Sequence, residues 1–344
     1  MVDNAHGVPA LGVYPRALEI GQGDPPESTW PVDLAATSCC TDSLEVRAAS
    51  VRGFMHRARK TPRQDAFAVQ QGPDGSLLVI VCDGVGDLPL SERAAQMVCD
   101  TLPGLYRASG DWVEAISQVN AMLREAEARE QAAQDTSERL FATTVTACRV
   151  RQENEGLELS FAYVGDSELW ALTDAVWRPL VGAAHEDGGL YSTSVRPIPT
   201  TTPMIGTGEV MMNANAVFLF TDGVSVPLAM GPDVQSALAA WWRRPPDPFT
   251  FASQVGFARR GFVDDRTAVG VWSVARLTSS DRPADQPDEA PDDAERMPPA
   301  PVAEGEEQSP APGQPSIDKP DRPVDTPEET GAESVISDTL EEGN

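Results

Sequence analysis

The chain has 344 residues, 41% of them hydrophobic, which is ample apolar material for a buried core, and it carries a formal net charge of −27. More than half of that charge sits beyond residue 277, in a Pro/Asp/Glu-rich stretch that follows the last aromatic residue, Trp272. Such a stretch cannot bury enough apolar surface to offset its ordering entropy, so 278–344 is expected to be a disordered acidic tail. Its acidity repels polyanions and argues against a nucleic-acid partner. The five cysteines show no CxxC or Cys/His ligand spacing, which excludes a zinc-ribbon reading and a disulfide framework. With neither a basic-plus-apolar leader nor a long apolar run, no membrane association is expected, and the cytoplasm is the default location.

Residues 1–43 lack a clean period and read as a poorly ordered N-terminal arm with at most a short element. Regular structure is expected from Leu44, where LEVRAASVRG alternates as a strand does, and FAVQQ and SLLVIVCDG follow as strands joined by a Pro-Asp-Gly turn. Two helices come next. One is expected over 91–102, with Ser91 as N-cap and Pro103-Gly104 as its stop; the other covers 111–134, with apolar positions at helical spacing. Strands return at FATTVTACRV, LELSFAYVGD and ELWALTD, and, after a Gly/Thr/Pro-rich connection over 182–215, at AVFLFTDG. Helices over 233–242 and 248–260 precede a closing strand, TAVGVWSVARL. Strands, two helices, more strands, then helices and a strand is neither alternating βαβ nor all-β. The order suits an α+β class, a four-layer α-β-β-α sandwich of two mainly antiparallel sheets flanked by helices over 44–277.

Four aspartates stand at strand ends. Asp83 ends VIVCDG, Asp222 ends VFLFTDG, Asp264 precedes TAVGVW with Asp265 beside it, and Asp65 stands just before FAV. A carboxylate at the end of a buried strand is placed by the sheet while its oxygens project into the loops. Several converging ends make an oxygen-rich site suited to a hard cation such as Mg²⁺ or Mn²⁺. Gly84 and Gly223, each after its aspartate, permit tight turns and close backbone approach. Asp-Gly after a strand is equally a common turn signal, and for any one of these positions that reading stands beside the functional one.

Taken in order, the segments SVRG (50–53), RQDAFAV (63–69), VCDGVGD (81–87), ATTV (142–145), YVGDSE (163–168), LFTDGV (219–224) and DDRTAVGV (264–271) resemble the metal-dependent PPM, or type 2C, Ser/Thr protein phosphatases. The resemblance covers about residues 44–277. It implies a phosphoprotein substrate, two Mn²⁺ or Mg²⁺ ions as cofactors, and a water activated by both that attacks phosphorus in line without a phosphoenzyme. A partner Ser/Thr kinase is a natural expectation from the family. Position by position, the resemblance makes Asp83 the bridging ligand and gives the Gly84 carbonyl to one metal. Asp222 and Asp264 fall to the other metal, and Asp65 holds a metal-bound water. Arg52 and His56 fall on the substrate side.

The departures from the family pattern are specific. Arg63 replaces an Asn two residues before the first aspartate. His56 stands where bacterial members carry a phosphate-binding Arg, as in a subgroup with an SxRG…H…QDA pattern, and an imidazolium there suits phosphate binding or protonation of the leaving oxygen; the bland reading is a loop histidine. Val85 replaces the general-acid His of eukaryotic members. Glu168 replaces the Arg of the GDSR motif, Asp166 reads as a turn residue supporting the site, and Arg139 replaces the aspartate of a third metal. His185 reads as an exposed loop residue, Thr143 and Thr144 as buried strand residues, and Trp241-Trp242 as core cover. These departures and the tail motivate a second reading, a catalytically weak phosphatase-like scaffold that binds a phosphoprotein or signalling partner.

Overall fold

A computed structural model of the chain describes residues 33–86, 88–154, 156–181 and 196–275. The His185 segment, the tail and most of the N-terminal arm lie outside the described residues.

Among the described residues, eleven strands form two sheets in which every pairing is antiparallel. One sheet has the order β1 (Leu34–Cys40), β2 (Leu44–Val51), β11 (Arg266–Ser273), β10 (Ala216–Phe220), β7 (Glu168–Thr173), β8 (Val176–Val181). The other runs β3 (Ala66–Gln71), β4 (Leu77–Cys82), β5 (Val145–Glu153), β6 (Gly156–Val164), β9 (Gly206–Met212). Their inner faces meet through Val46, Ala48, Val79, Val81, Leu159, Leu219 and Val269, all essentially inaccessible. Helices α2 (Ser91–Ser109) and α3 (Trp112–Ala133) cover the outer face of the five-stranded sheet through Val98, Leu102, Ile116 and Leu123. On the far side α4 (Asp222–Met230), α5 (Pro232–Trp242) and α6 (Pro248–Val255) cover the six-stranded sheet around Phe218, Phe220, Trp242 and Trp272. The architecture is the expected α-β-β-α sandwich. Both faces of each central strand are buried, which is why LLVIVC and AVFLF are continuous apolar runs rather than alternating ones.

Several boundaries differ from the expected ones. Regular structure begins ten residues before Leu44: β1 pairs with β2 along its whole length, inside the segment read as an arm. Pro103 does not end its helix; α2 runs through it to Ser109 and stops at Gly110 in the left-handed region. The missing proline N–H costs one ladder bond, and the Pro103 ring is buried. Ser91 lies inside the helix behind Leu90, and its hydroxyl donates to the Val85 carbonyl at 3.1 Å. The helix expected over 248–260 ends at Val255. Two helices were not expected, α4 and the short α1 (Phe54–Arg59), and neither were strands β8 and β9.

Candidate active site

The loops at one end of the two sheets enclose a cleft of about 280 Å³ lined by Met55, His56, Arg59, Gln64, Asp83, Gly84, Val85, Gly86, Asp166, Asp222 and Asp264. Each acidic side chain comes from a separate strand end. Asp83 follows β4, and its main chain is clamped by Thr144, whose hydroxyl accepts from Asp83 N at 3.0 Å while its own N–H donates to Asp83 O at 2.8 Å. Thr144 in turn shares a 2.7 Å hydrogen bond with Ser167. Asp222 opens α4 directly after β10. Asp264 precedes β11, with its Oδ1 accepting from Asp265 N at 2.9 Å.

Close backbone approach makes this convergence possible. A Cβ on Gly223 would stand 1.9 Å from the Asp265 carbonyl oxygen, and one on Gly84 would stand 2.7 Å from the Gln64 carbonyl oxygen. Neither contact is tolerable, so glycine at both positions is a packing requirement of the site. The Gln64 amide, oriented to satisfy its surroundings, donates to the carbonyls of Gly84 at 3.0 Å and Gly86 at 3.1 Å.

Asp65 stands behind the cleft wall, 4% exposed, and its Oδ2 accepts from Thr221 Oγ1 and from Thr267 Oγ1, each at 2.7 Å. One carboxylate oxygen is therefore held by hydroxyls of two different strand ends. Asp265 is the other anchor: Oδ1 accepts from Gly53 N and Oδ2 from Gln64 N, both at 2.6 Å. His56 Nδ1 comes 2.9 Å from Asp265 Oδ1, a charge contact rather than an aligned hydrogen bond.

Electrostatically the site is overloaded with negative charge. Burial, then the carboxylates of Asp65, Asp222 and Asp264, hold the Asp83 carboxyl far above the usual range. Burial followed by Asp264 pushes Asp222 up to about 7. Asp65 is raised by burial and Asp265 against the two threonine hydroxyls, and Asp264 by burial and Asp265. Burial works to lower the His56 pKa, but the Asp265 contact and the carboxylates of Asp264 and Asp65 outweigh it, and the net shift is upward. Asp222 Oδ1 is buried without a hydrogen-bond partner. Carboxylates packed this closely, one with an orphaned oxygen, form a donor set of hard oxygens that suits divalent cations.

Of the residues singled out in the sequence, Asp83, Gly84, Asp222, Asp264 and His56 meet in the cleft, and Asp65 stands one layer behind. Arg52 does not belong to the cleft. Its guanidinium donates to Asp33 Oδ1 and to the His56 carbonyl, both at 2.9 Å, and so links the residue before β1 to α1. Asp166, read as a turn residue, lines the cleft. Glu168, 6% exposed, accepts from Trp170 Nε1 at 2.5 Å, and its replacement of an arginine is absorbed within the sheet. Ligand atoms of His56, Asp264 and Asp265 also lie within 4.8 Å of one another. Arg59, Gln64 and Asp265 were not singled out as site residues. Arg59 reaches the cleft because Phe54–Arg59 is a helix, and the short run MHRARK carries no apolar period from which that helix is legible.

The protein phosphatase 2C family model matches residues 52–253, and the chain belongs to that family of protein phosphatase enzymes, which use divalent metals. Among solved structures, the chain is similar to PppA, described as a key regulatory component of the type VI secretion system in Pseudomonas aeruginosa, with 19% identity over 69% of this chain and 100% of that one (TM-score 0.48). It is also similar to the Mycobacterium tuberculosis serine/threonine phosphatase PstP/Ppp, with 19% identity over 67% and 98% (TM-score 0.43). A serine/threonine phosphatase of S. agalactiae aligns at 18% identity over 67% and 99% (TM-score 0.44). No curated relative matches the chain.

Proposed function

We propose that the chain is a serine/threonine phosphoprotein phosphatase that hydrolyses phosphomonoesters with two divalent cations, Mn²⁺ or Mg²⁺. The observation that carries this reading is the meeting of Asp83, Asp222 and Asp264 in one cleft, with carboxyl pKa values all raised and one buried oxygen unpartnered. When bound, the cations supply Lewis acidity toward water and the phosphoryl oxygens. Asp83, central among the carboxylates, would hold both ions, with the Gly84 carbonyl on one and Asp222 and Asp264 on the other. Asp65, its Oδ2 fixed by Thr221 and Thr267, would orient water at the rear of the site.

The substrate side belongs to α1. His56 places its imidazole in the cleft with Nδ1 turned to Asp265, leaving Nε2 to face the phosphoester, where an imidazolium binds a phosphoryl oxygen or gives its proton to the seryl oxygen as the P–O bond breaks. Arg59, one turn on, adds fixed positive charge at the cleft wall. The natural counterpart of such an enzyme is the kinase that installs the phosphate.

With Mn²⁺, the purified chain should hydrolyse a phosphoserine peptide and p-nitrophenyl phosphate, and EDTA should abolish turnover. Asp83→Asn or Asp222→Asn should lower kcat by roughly 100-fold or more, the scale of a metal's contribution to such a step. Full activity in both variants would defeat the assignment.

A further inference from the structure

Asp265 carries more contacts than the turn before a strand requires. It is 2% exposed, and its two carboxylate oxygens make three contacts on two other segments at once. Oδ2 accepts from Gln64 N, on the segment that leads into Asp65 and β3; Oδ1 accepts from Gly53 N, at the start of α1; and Oδ1 also meets His56 Nδ1 one turn along that helix. The backbone of the same residue follows Asp264 and stands against Gly223, where a Cβ would collide with its carbonyl. The buried carboxylate thus ties the segments that carry Asp65 and His56 to the residue after Asp264, while the backbone carbonyl of the same residue packs against Gly223, next to Asp222.

The two backbone N–H bonds alone would be served by any fixed acceptor. The third contact is different in kind: Nδ1 stands 2.9 Å from a carboxylate oxygen but off the hydrogen-bond line, and a proton on Nδ1 turned onto that oxygen would fix tautomer and ring orientation together. With Nδ1 turned to Asp265, Nε2 is the nitrogen left for the cleft, where His56 stands among Asp83, Asp222 and Asp264. We propose that Asp265 is the positioning residue of the site: it holds His56 in one ring orientation, with Nδ1–H toward the carboxylate and Nε2 toward the bound phosphoester, and it acts on turnover through His56. This inference rests on the phosphatase reading for its kinetic consequence but not for its geometry.

The test uses the full chain loaded with Mg²⁺, which is diamagnetic, and ¹⁵N-labelled at its three histidines, with His56→Asn to assign the His56 signals. The wild-type protein should show His56 Nδ1 protonated and shifted by a strong acceptor, and Asp265→Asn should remove that signature. A wild-type ring without a proton on Nδ1, or a ring whose ¹⁵N shifts are the same in Asp265→Asn, overturns the proposal whatever the enzyme's activity. In turnover of a phosphoserine peptide, Asp265→Asn should lower kcat by roughly 10- to 100-fold, the scale on which a residue that orients a functional histidine acts, with a smaller change in KM. In a His56→Ala background the same substitution should cost almost nothing further, and an undiminished loss there shows that Asp265 acts through the loops and not through His56. Mn²⁺ titration should give the same stoichiometry for wild type and Asp265→Asn. One ion fewer in the variant would make Asp265 a metal ligand and also overturn the inference. If the wild-type chain hydrolyses no phosphoester, the phosphatase reading falls, and the ¹⁵N spectra alone decide the role of Asp265.

Discussion

At the scale of single residues, the site is built by close approach, and glycine is the residue that permits it. Gly223 opens the second position of α4 directly over the Asp265 carbonyl, and an added methyl would lie 1.9 Å from that oxygen. The oxygen belongs to the backbone of the segment that also holds Asp264, so relief requires moving a candidate ligand. Gly223→Ala should therefore cost about 3 kcal/mol of folding stability, the upper range for overpacking, and should weaken Mn²⁺ binding as well. Gly104 provides the control. It sits exposed inside α2, where an added Cβ would meet nothing within 4 Å, so Gly104→Ala should stabilise the protein by roughly 0.5–1 kcal/mol through helix propensity. Chemical denaturation of both variants checks the pair. Equal effects, in either direction, would show that local space around Gly223 is not what fixes its identity.

At the scale of elements, the helices over the six-stranded sheet pack around one aromatic cluster. Trp242, at the end of α5, stacks on Phe218 with ring centroids 5.4 Å apart and donates Nε1–H to Gln254 Oε1 at 2.9 Å, while its carbonyl accepts from Trp272 Nε1 at 2.8 Å. Trp242→Ala removes a fully buried ring and should cost about 3–5 kcal/mol, whereas Trp241→Ala, at a half-buried position beside it, should cost far less. Thermal unfolding of the two variants measures the difference. Elements of this kind were also the legible ones: β2, β4, β10 and β11 announce themselves as apolar or alternating runs, and α3 by its spacing; its cap, Asp111 accepting from Glu114 N at 2.9 Å, is seen in the structure. What sequence patterns hid follows from the same physics. α4 reads TDGVSVP, with a glycine and a proline inside it, and forms because β10 delivers it against the sheet. β9 is rich in glycine because Tyr163 and Phe161 lie across Gly206 and Gly208. For the site, aspartates at strand ends were visible one by one, but the role of Asp265 was not, since its three contacts come from residues about 200 positions away.

At the scale of the whole molecule, the carboxylate cluster couples metal binding to folding. Without cations the fold must hold half-buried Asp83, Asp222 and Asp264 in one cleft with buried Asp65 behind them, and every one of these carboxyls is raised above its ordinary value, Asp222 to about 7. For an acid whose folded pKa lies above its unfolded value, the folded state binds more protons between the two. The contribution to stability is then fully present below the unfolded value near 3.8 and is lost as pH rises through the folded one. The metal-free protein should accordingly lose stability as pH rises from about 4 to about 7, a window set by Asp222. Divalent cations reverse the balance, because they bind the ionised carboxylates and release the protons still held there. Mn²⁺ at roughly 100 times its dissociation constant should add about 2.7 kcal/mol for each independent site, and the gain in unfolding temperature at a fixed Mn²⁺ concentration should be larger at pH 8 than at pH 5.5. Calorimetric titration near pH 6.5 in buffers of different ionisation enthalpy should show net proton release on Mn²⁺ binding, and that release should shrink in Asp222→Asn, which no longer has this carboxyl to deprotonate. A metal-free protein whose stability is flat from pH 4 to pH 7, with Mn²⁺ binding that releases no protons, would mean that the cluster is relieved by rearrangement of the loops rather than by cations.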